Sequence, residues 1–128
     1  MQPDLTANPP KPAAPDKPEE KIRHLPAEVR AAFLRFQTQG DVAALDLVIA
    51  AILEDYVPRP PPRPIAELPG GTQLIDDLGF DSLAITEVVF FTEDLLGISI
   101  ANTEIIRVRT LDDLRGFVRR KVAERTKG

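Results

Sequence analysis

Residues 77–83 read Asp77-Leu78-Gly79-Phe80-Asp81-Ser82-Leu83, and the reading of this stretch decides the fold. Gly79 permits a positive φ that most residues resist, and Asp81 is suited to cap the free amides of a helix that follows it. An apolar-periodic segment begins just after, so a helix is expected from 81 to about 96, with Gly97 as its C-terminal stop and Ser82 in its first turn. Helix N-termini carry unpaired N–H groups and partial positive charge, which favour a phosphate esterified to a hydroxyl there. Ser82 is therefore a candidate attachment point.

Working outward, Ile85, Val88, Val89, Thr92 and Leu96 share one face of this helix, the expected core side. Leu83, Thr86, Phe90 and Phe91 lie toward the other side, near the serine. The two aromatics there are expected either to lie under a helix carrying Phe33 and Phe36 or to form a contact surface for partners. Downstream, Ile98 and Ile100 return the chain to the core, and Asn102 is expected to cap a very short helix through Ile105 and Ile106. Thr110 opens a last helix, with Asp113 completing a Thr-x-x-Asp capping pattern. Leu111, Leu114, Phe117, Val118 and Val122 form its apolar face.

Upstream, Asp41 is expected to cap a core helix reaching about Tyr56, with Val42, Leu45, Val48, Ile49, Ile52, Leu53 and Tyr56 at helical spacing. Pro58, Pro60, Pro61, Pro62 and Pro64 then impose an extended connection, which Ile65 and Leu68 should anchor to the core. Before Asp41, Leu25, Val29, Ala32, Phe33 and Phe36 mark a shorter helix ending at Gly40; its aromatic stripe should pack on the parent domain or dock a partner. Prolines crowd residues 3 to 18, a composition that cannot build a core. The expected organisation is a disordered tail over 1–24, an accessory amphipathic helix over 25–40 and a domain over 41–125. The fold class is all-α, a small antiparallel helical bundle of three main helices and one short one, with an extra N-terminal helix.

The chain of 128 residues contains no cysteine, so disulfide frameworks and thiolate metal sites are excluded. Its N-terminus has no basic segment followed by an apolar stretch, and its longest wholly apolar run, residues 48–53, is too short to span a bilayer. A cytoplasmic protein without stable membrane insertion is expected. Net charge is −4, which argues against nucleic-acid binding by phosphate neutralisation. Between Asp76 and Glu104 every charge is negative, whereas from Arg107 onward the chain turns basic. The serine thus lies in a field that attracts basic surfaces.

Catalysis by Ser82 would need a base and an oxyanion hole, yet the chain has one histidine, His24, beside the proline-rich segment, and lacks a Gly-x-Ser-x-Gly pattern. No catalytic residue is assigned. Asp76, Asp77 and Asp81 do not match a calcium loop, and capping or solvation explains them, so no metal site is assigned. Gly70-Gly71 is turn chemistry rather than a phosphate cradle.

The stretch around Ser82, together with the helix order and the spacing through Glu87, Leu96, Ile100, Val108 and Leu111, resembles the acyl carrier protein family over about residues 41 to 122. The resemblance implies a carrier rather than an enzyme. It implies 4′-phosphopantetheine attached covalently to Ser82 from coenzyme A by a phosphopantetheinyl transferase, which would recognise Asp81 and Leu83. The thiol of that arm would hold acyl groups as thioesters. The resemblance further implies that Glu87, Glu93 and Asp94 meet basic patches on acyl-loading and synthase enzymes, with Thr86 and Phe90 making further partner contacts. An acyl pocket would be lined by Val88, Val89, Thr92, Leu96, Ile100, Ile105 and Val108. A monomer serving specialised lipid or polyketide-type assembly is expected, with ordinary fatty-acid synthesis next. The alternatives are an unmodified interaction module of the same fold or a peptidyl carrier. Ala84 and Leu95 depart from the family by standing where fatty-acid-synthesis carriers often have acids.

Overall fold

Apolar residues at helical spacing build the bundle one face at a time, and the computed structural model describes residues 18–127 of it. Residues 1–17 of the expected tail lie outside the described residues. Its remainder does not read as tail: Pro18–Lys21 forms a helical turn, α1, and Ile22 beyond it is only 1% exposed. Proline at the first helical position loses nothing, because that N–H has no partner within the helix in any case.

Helix α2, Ala27–Gln39, buries Val29, Ala32, Phe33 and Phe36, and ends where Gly40 adopts φ 70° and donates its N–H to the Phe36 carbonyl. The Phe33 and Phe36 rings lie 6.4 Å apart within the core, so the aromatic stripe packs inward on α3. Helix α3, Val42–Tyr56, runs through that core and buries Leu45, Val48, Ile49, Ile52 and Leu53. Asp41 stands at its N-cap position, but its side chain makes no capping hydrogen bond; a carboxylate oxygen lies 3.7 Å from Arg35 Nε instead. The nearby guanidinium diverts the group expected to cap.

The proline-rich connection is anchored as expected. Ile65, in a 3-10 turn over Ile65–Glu67, is fully buried, and its N–H donates to Glu54 Oε2 at 2.7 Å. Helix α4, Ser82–Leu96, buries Ala84, Val88, Thr92, Leu95 and Leu96, while Ile85 and Val89 are half-buried. Its apolar stripe is thus rotated toward Ala84 and Leu95, whose lack of charge suits a covered face. Gly97, at φ 67°, closes the helix.

Helix α5, Asn102–Ile105, has Ala101 at its N-cap, so Asn102 is the first helical residue rather than the cap. Glu104 does the reciprocal work, accepting from the Ala101 N–H at 3.0 Å. Helix α6, Leu111–Lys127, opens on the expected box: Asp113 N–H donates to Thr110 Oγ1 at 3.0 Å, and Thr110 N–H donates to Asp113 Oδ2 at 3.2 Å. Near the far end of α6, Arg125 donates to the Leu96 carbonyl at the end of α4.

The architecture is an all-α bundle of the acyl-carrier type with an added N-terminal element. Among the described residues its extended pairing is one isolated bridge, Gln73 with Thr110. Among those residues no helix is long and apolar enough to cross a membrane.

Candidate functional site

A turn held from several directions presents Ser82. Leu78 and Phe80 are buried on either side of Gly79, whose φ is 77°. Hydrogen bonds from Gly79 N–H to the Ile75 carbonyl (3.0 Å) and from Phe80 N–H to the Leu74 carbonyl (3.0 Å) fold the preceding residues back on themselves. Arg59 braces the outside, donating its backbone N–H to the Leu78 carbonyl and its guanidinium to the Asp76 carbonyl, both at 3.2 Å. Asp77 is absorbed locally, since its Oδ2 accepts from Gln73 N–H at 2.8 Å.

Asp81 caps α4 as its sequence position predicts, Oδ1 accepting from Ala84 N–H at 2.9 Å. Ser82 is exposed in the first turn, and its carbonyl accepts from the Thr86 hydroxyl at 2.7 Å. The serine lies on the lining of a cavity of about 550 Å³ between the Gln73–Asp76 turn, α4 and α5. Ile75, Ile85, Ile105, Ile106 and Val108 give that lining its apolar character, with Arg109 among the polar groups around them.

Of the residues expected in an acyl pocket, Ile105 and Val108 line this cavity. Val88, Thr92 and Leu96 are instead buried in the core, and Val89 and Ile100 are half-buried outside the lining. Ile75, Ile85 and Ile106 complete the aliphatic lining of the cavity. Ile85 carried a usable signal, standing three residues after Ser82 and so one turn along the same face. Ile75 and Ile106 sit in turns, where helical periodicity says nothing.

The expected partner residues divide in the same way. Leu83, Thr86, Glu87 and Phe90 are exposed on α4, Phe90 at 61%. Glu93 is engaged internally, its Oε2 accepting from Ile100 N–H at 2.7 Å, and Asp94 lies 3.7 Å from Lys21 Nζ. Phe91 is half-buried between the Tyr56 ring, 6.2 Å away edge-on, and the Lys21 ammonium, 5.1 Å from its centroid. Its cover comes from α1 and the end of α3, not from Phe33 and Phe36. His24 is exposed, 2.6 Å from Asp55 Oδ2, and lines a different cavity.

Glu104 and Asp113 hold the α5–α6 junction. A hydrogen bond from Lys121, supported by the Ala101 N–H, keeps the Glu104 carboxyl below its ordinary range. The Arg109 N–H, followed by the Thr110 donors, does the same for Asp113.

No family model matches the chain, and no solved structure matches it. Among curated proteins, an acyl carrier protein of Solidesulfovibrio magneticus is 30% identical over 59 residues, covering 46% of this chain and 76% of the relative. An acyl carrier protein of Rhodococcus erythropolis is 32% identical over 50 residues, covering 39% of this chain and 55% of that relative. With a helical bundle that presents an Asp-Ser-Leu turn beside an apolar cavity, and with a relative matched over three quarters of its length, this chain belongs to the acyl carrier protein family.

Proposed function

We propose that Ser82 is the attachment point for 4′-phosphopantetheine and that the chain carries acyl groups for specialised lipid or polyketide-type assembly, or for fatty-acid synthesis. Membership of the family supports the acyl-handling role, and one observation carries the site: Ser82 is exposed at the N-terminus of α4 on the lining of an apolar cavity of about 550 Å³. The fit is chemical as well as spatial, because a phosphodiester on Ser82 would stand at the positive end of a helix. The arm supplies the thiol, absent from this cysteine-free chain, to which an acyl group is joined as a thioester. The chain's own part is to present and shelter. Ile75, Ile85, Ile105, Ile106 and Val108 offer an acyl chain apolar surface, which favours its withdrawal from water.

Partner enzymes would read the open side of α4. Leu83, Thr86 and Phe90 form an exposed stripe at helical spacing, with Asp81 and Glu87 supplying negative charge. A phosphopantetheinyl transferase and basic-surfaced loading or synthase enzymes fit this face.

Intact mass after incubation with a broad transferase and coenzyme A tests the proposal. The wild type gains the phosphopantetheine mass and Ser82→Ala does not. An unmodified wild type sinks the carrier mechanism, and a modified Ser82→Ala sinks the site.

A further inference from the structure

A second cavity, of about 470 Å³, opens between α5, the turn after it and the first half of α6. It is lined by Arg107 and Arg120, with Phe117, Val108 and Thr103 beside them and the carboxylates of Glu104 and Asp113 in the wall. Both carboxylates have local partners. Glu104 holds Lys121 Nζ at 2.8 Å and the Ala101 N–H at 3.0 Å, while Asp113 accepts from the Arg109 and Thr110 amides at 3.1 and 3.2 Å. Arg120 contributes to the field at Glu104, but its guanidinium lies over the Phe117 ring, 5.5 Å from the centroid. Among the described residues no carboxylate comes within ion-pairing distance of Arg107, Arg109 or Arg120. All three arginines are exposed; Arg107 directly follows Ile106 in the chain and Arg109 shares the lining of the Ser82 cavity with it, and Ile106, at 72%, is strongly exposed for an aliphatic side chain.

We propose that the Ile106–Arg107–Arg120 surface is a second docking face, which binds a partner protein through an acidic segment bearing an apolar side chain. Charge complementarity selects the occupant. Guanidiniums that have no carboxylate at ion-pairing distance among the described residues, beside an exposed apolar residue, favour carboxylates spaced around an apolar group, and they disfavour the basic surfaces that suit α4. Arginines supply the exposed charge without a close partner on this face, where Asp81 and Glu87 supply negative charge on α4, and the two faces meet at the Ser82 cavity, whose lining includes Ile106 and Arg109. A partner seated on the basic face approaches the serine without occupying Leu83 or Phe90. Orientation is the gain: one molecule presents its cavity to an acidic partner on one side and a basic one on the other. The chain's overall charge of −4 opposes an acidic partner at long range, so contact depends on these arginines at short range.

The test uses the full isotope-labelled chain and, as probe, a short terminally blocked peptide of Glu, Asp and Leu, with its Lys-for-acid counterpart as control. Saturable one-to-one binding is expected, with amide shifts concentrated at Thr103, Arg107, Phe117 and Arg120 and weakening as salt is added. Arg107→Glu with Arg120→Glu should reduce affinity about tenfold or more. Arg107→Gln with Arg120→Gln should give a smaller loss at unchanged folding. Transferase-dependent modification of Ser82 should proceed at the wild-type rate in all of these variants, which separates this face from the carrier assignment. Equal binding of the lysine peptide, shifts centred on α4, self-association through the same residues, preference for a single-stranded oligonucleotide, or no binding would each overturn the proposal.

Discussion

The Lys21 ammonium sits 5.1 Å from the centre of the Phe91 ring while it approaches Asp94 Oδ2 at 3.7 Å. One side chain from the N-terminal segment thus covers an aromatic and engages an acid on the helix that carries Ser82. Phe90, the next residue back, remains exposed. The N-terminal segment thus engages Phe91 and Asp94, while Leu83, Thr86, Glu87 and Phe90 stay exposed on α4. A double-mutant cycle on Lys21→Ala and Phe91→Ala should return a coupling of about 0.5–1 kcal/mol, the range for a cation over an aromatic face at a partly exposed site. Urea unfolding of the four proteins measures it, and additive effects would remove the contact from the account.

Ile22 makes the same segment part of the core. Ile22→Ala should cost about 2–5 kcal/mol, as for deletion of buried methyl groups elsewhere in a packed interior. Amide exchange at Phe91 should accelerate in step. A cost below about 0.5 kcal/mol, the level of an ordinary surface substitution, would return residues 18–24 to the status of a tail.

Asp81 combines two roles that substitution can separate. Asp81→Ala should lower stability by about 1 kcal/mol through loss of the bond to Ala84 N–H, whereas Asp81→Asn retains a capping oxygen and should stay within a few tenths of a kcal/mol of wild type. If a transferase reads the negative charge, both variants are modified slowly. Modification of Asp81→Asn at the wild-type rate would reduce Asp81 to a cap.

Local chemistry explains why so much of the bundle was legible. Gly40, Gly79 and Gly97 adopt the left-handed φ expected of turn and C-cap glycines, Thr110 and Asp113 form their box, and Leu111 through Val122 bury the predicted face. Each of these depends on neighbours within a turn or two. Ile22 was missed because proline density reads as disorder, while its burial depends on elements far along the chain. Asp41 and Asn102 have the right composition for caps, yet Arg35 diverts the one and Ala101 precedes the other. The cavity shows the same limit. Ile75 and Ile106 acquire their place only when two turns are brought together beside α4.

Acid sensitivity should concentrate at the α5–α6 junction. Glu104 and Asp113 have folded pKa values below their ordinary 4.5 and 3.8, so ionisation stabilises the folded chain. That contribution is complete above the ordinary values and disappears as pH falls through the lowered folded ones. Stability therefore falls on acidification through this window. Glu104→Gln and Asp113→Asn should each flatten that part of the pH profile in urea unfolding. An unchanged slope in both variants would place the acid sensitivity elsewhere.

Gly79 and Gly40 share a positive φ, of 77° and 70°, but only Gly79 has a close neighbour in the direction of a side chain. A Cβ at Gly79 would lie 3.2 Å from Arg59 Cβ, whereas one at Gly40 would meet nothing within 4 Å. Gly40→Ala should therefore cost about 1–2 kcal/mol for the left-handed backbone alone. Gly79→Ala should cost that and more, because Arg59 must move while its backbone N–H holds Leu78 and its guanidinium holds the Asp76 carbonyl. The distinguishing readout is local: amide exchange at Asp76, Leu78 and Ser82 should accelerate in Gly79→Ala and remain unchanged in Gly40→Ala. Equal costs with no local change would mean that Arg59 yields freely, and that the turn presenting Ser82 depends on its glycine but not on the arginine beside it.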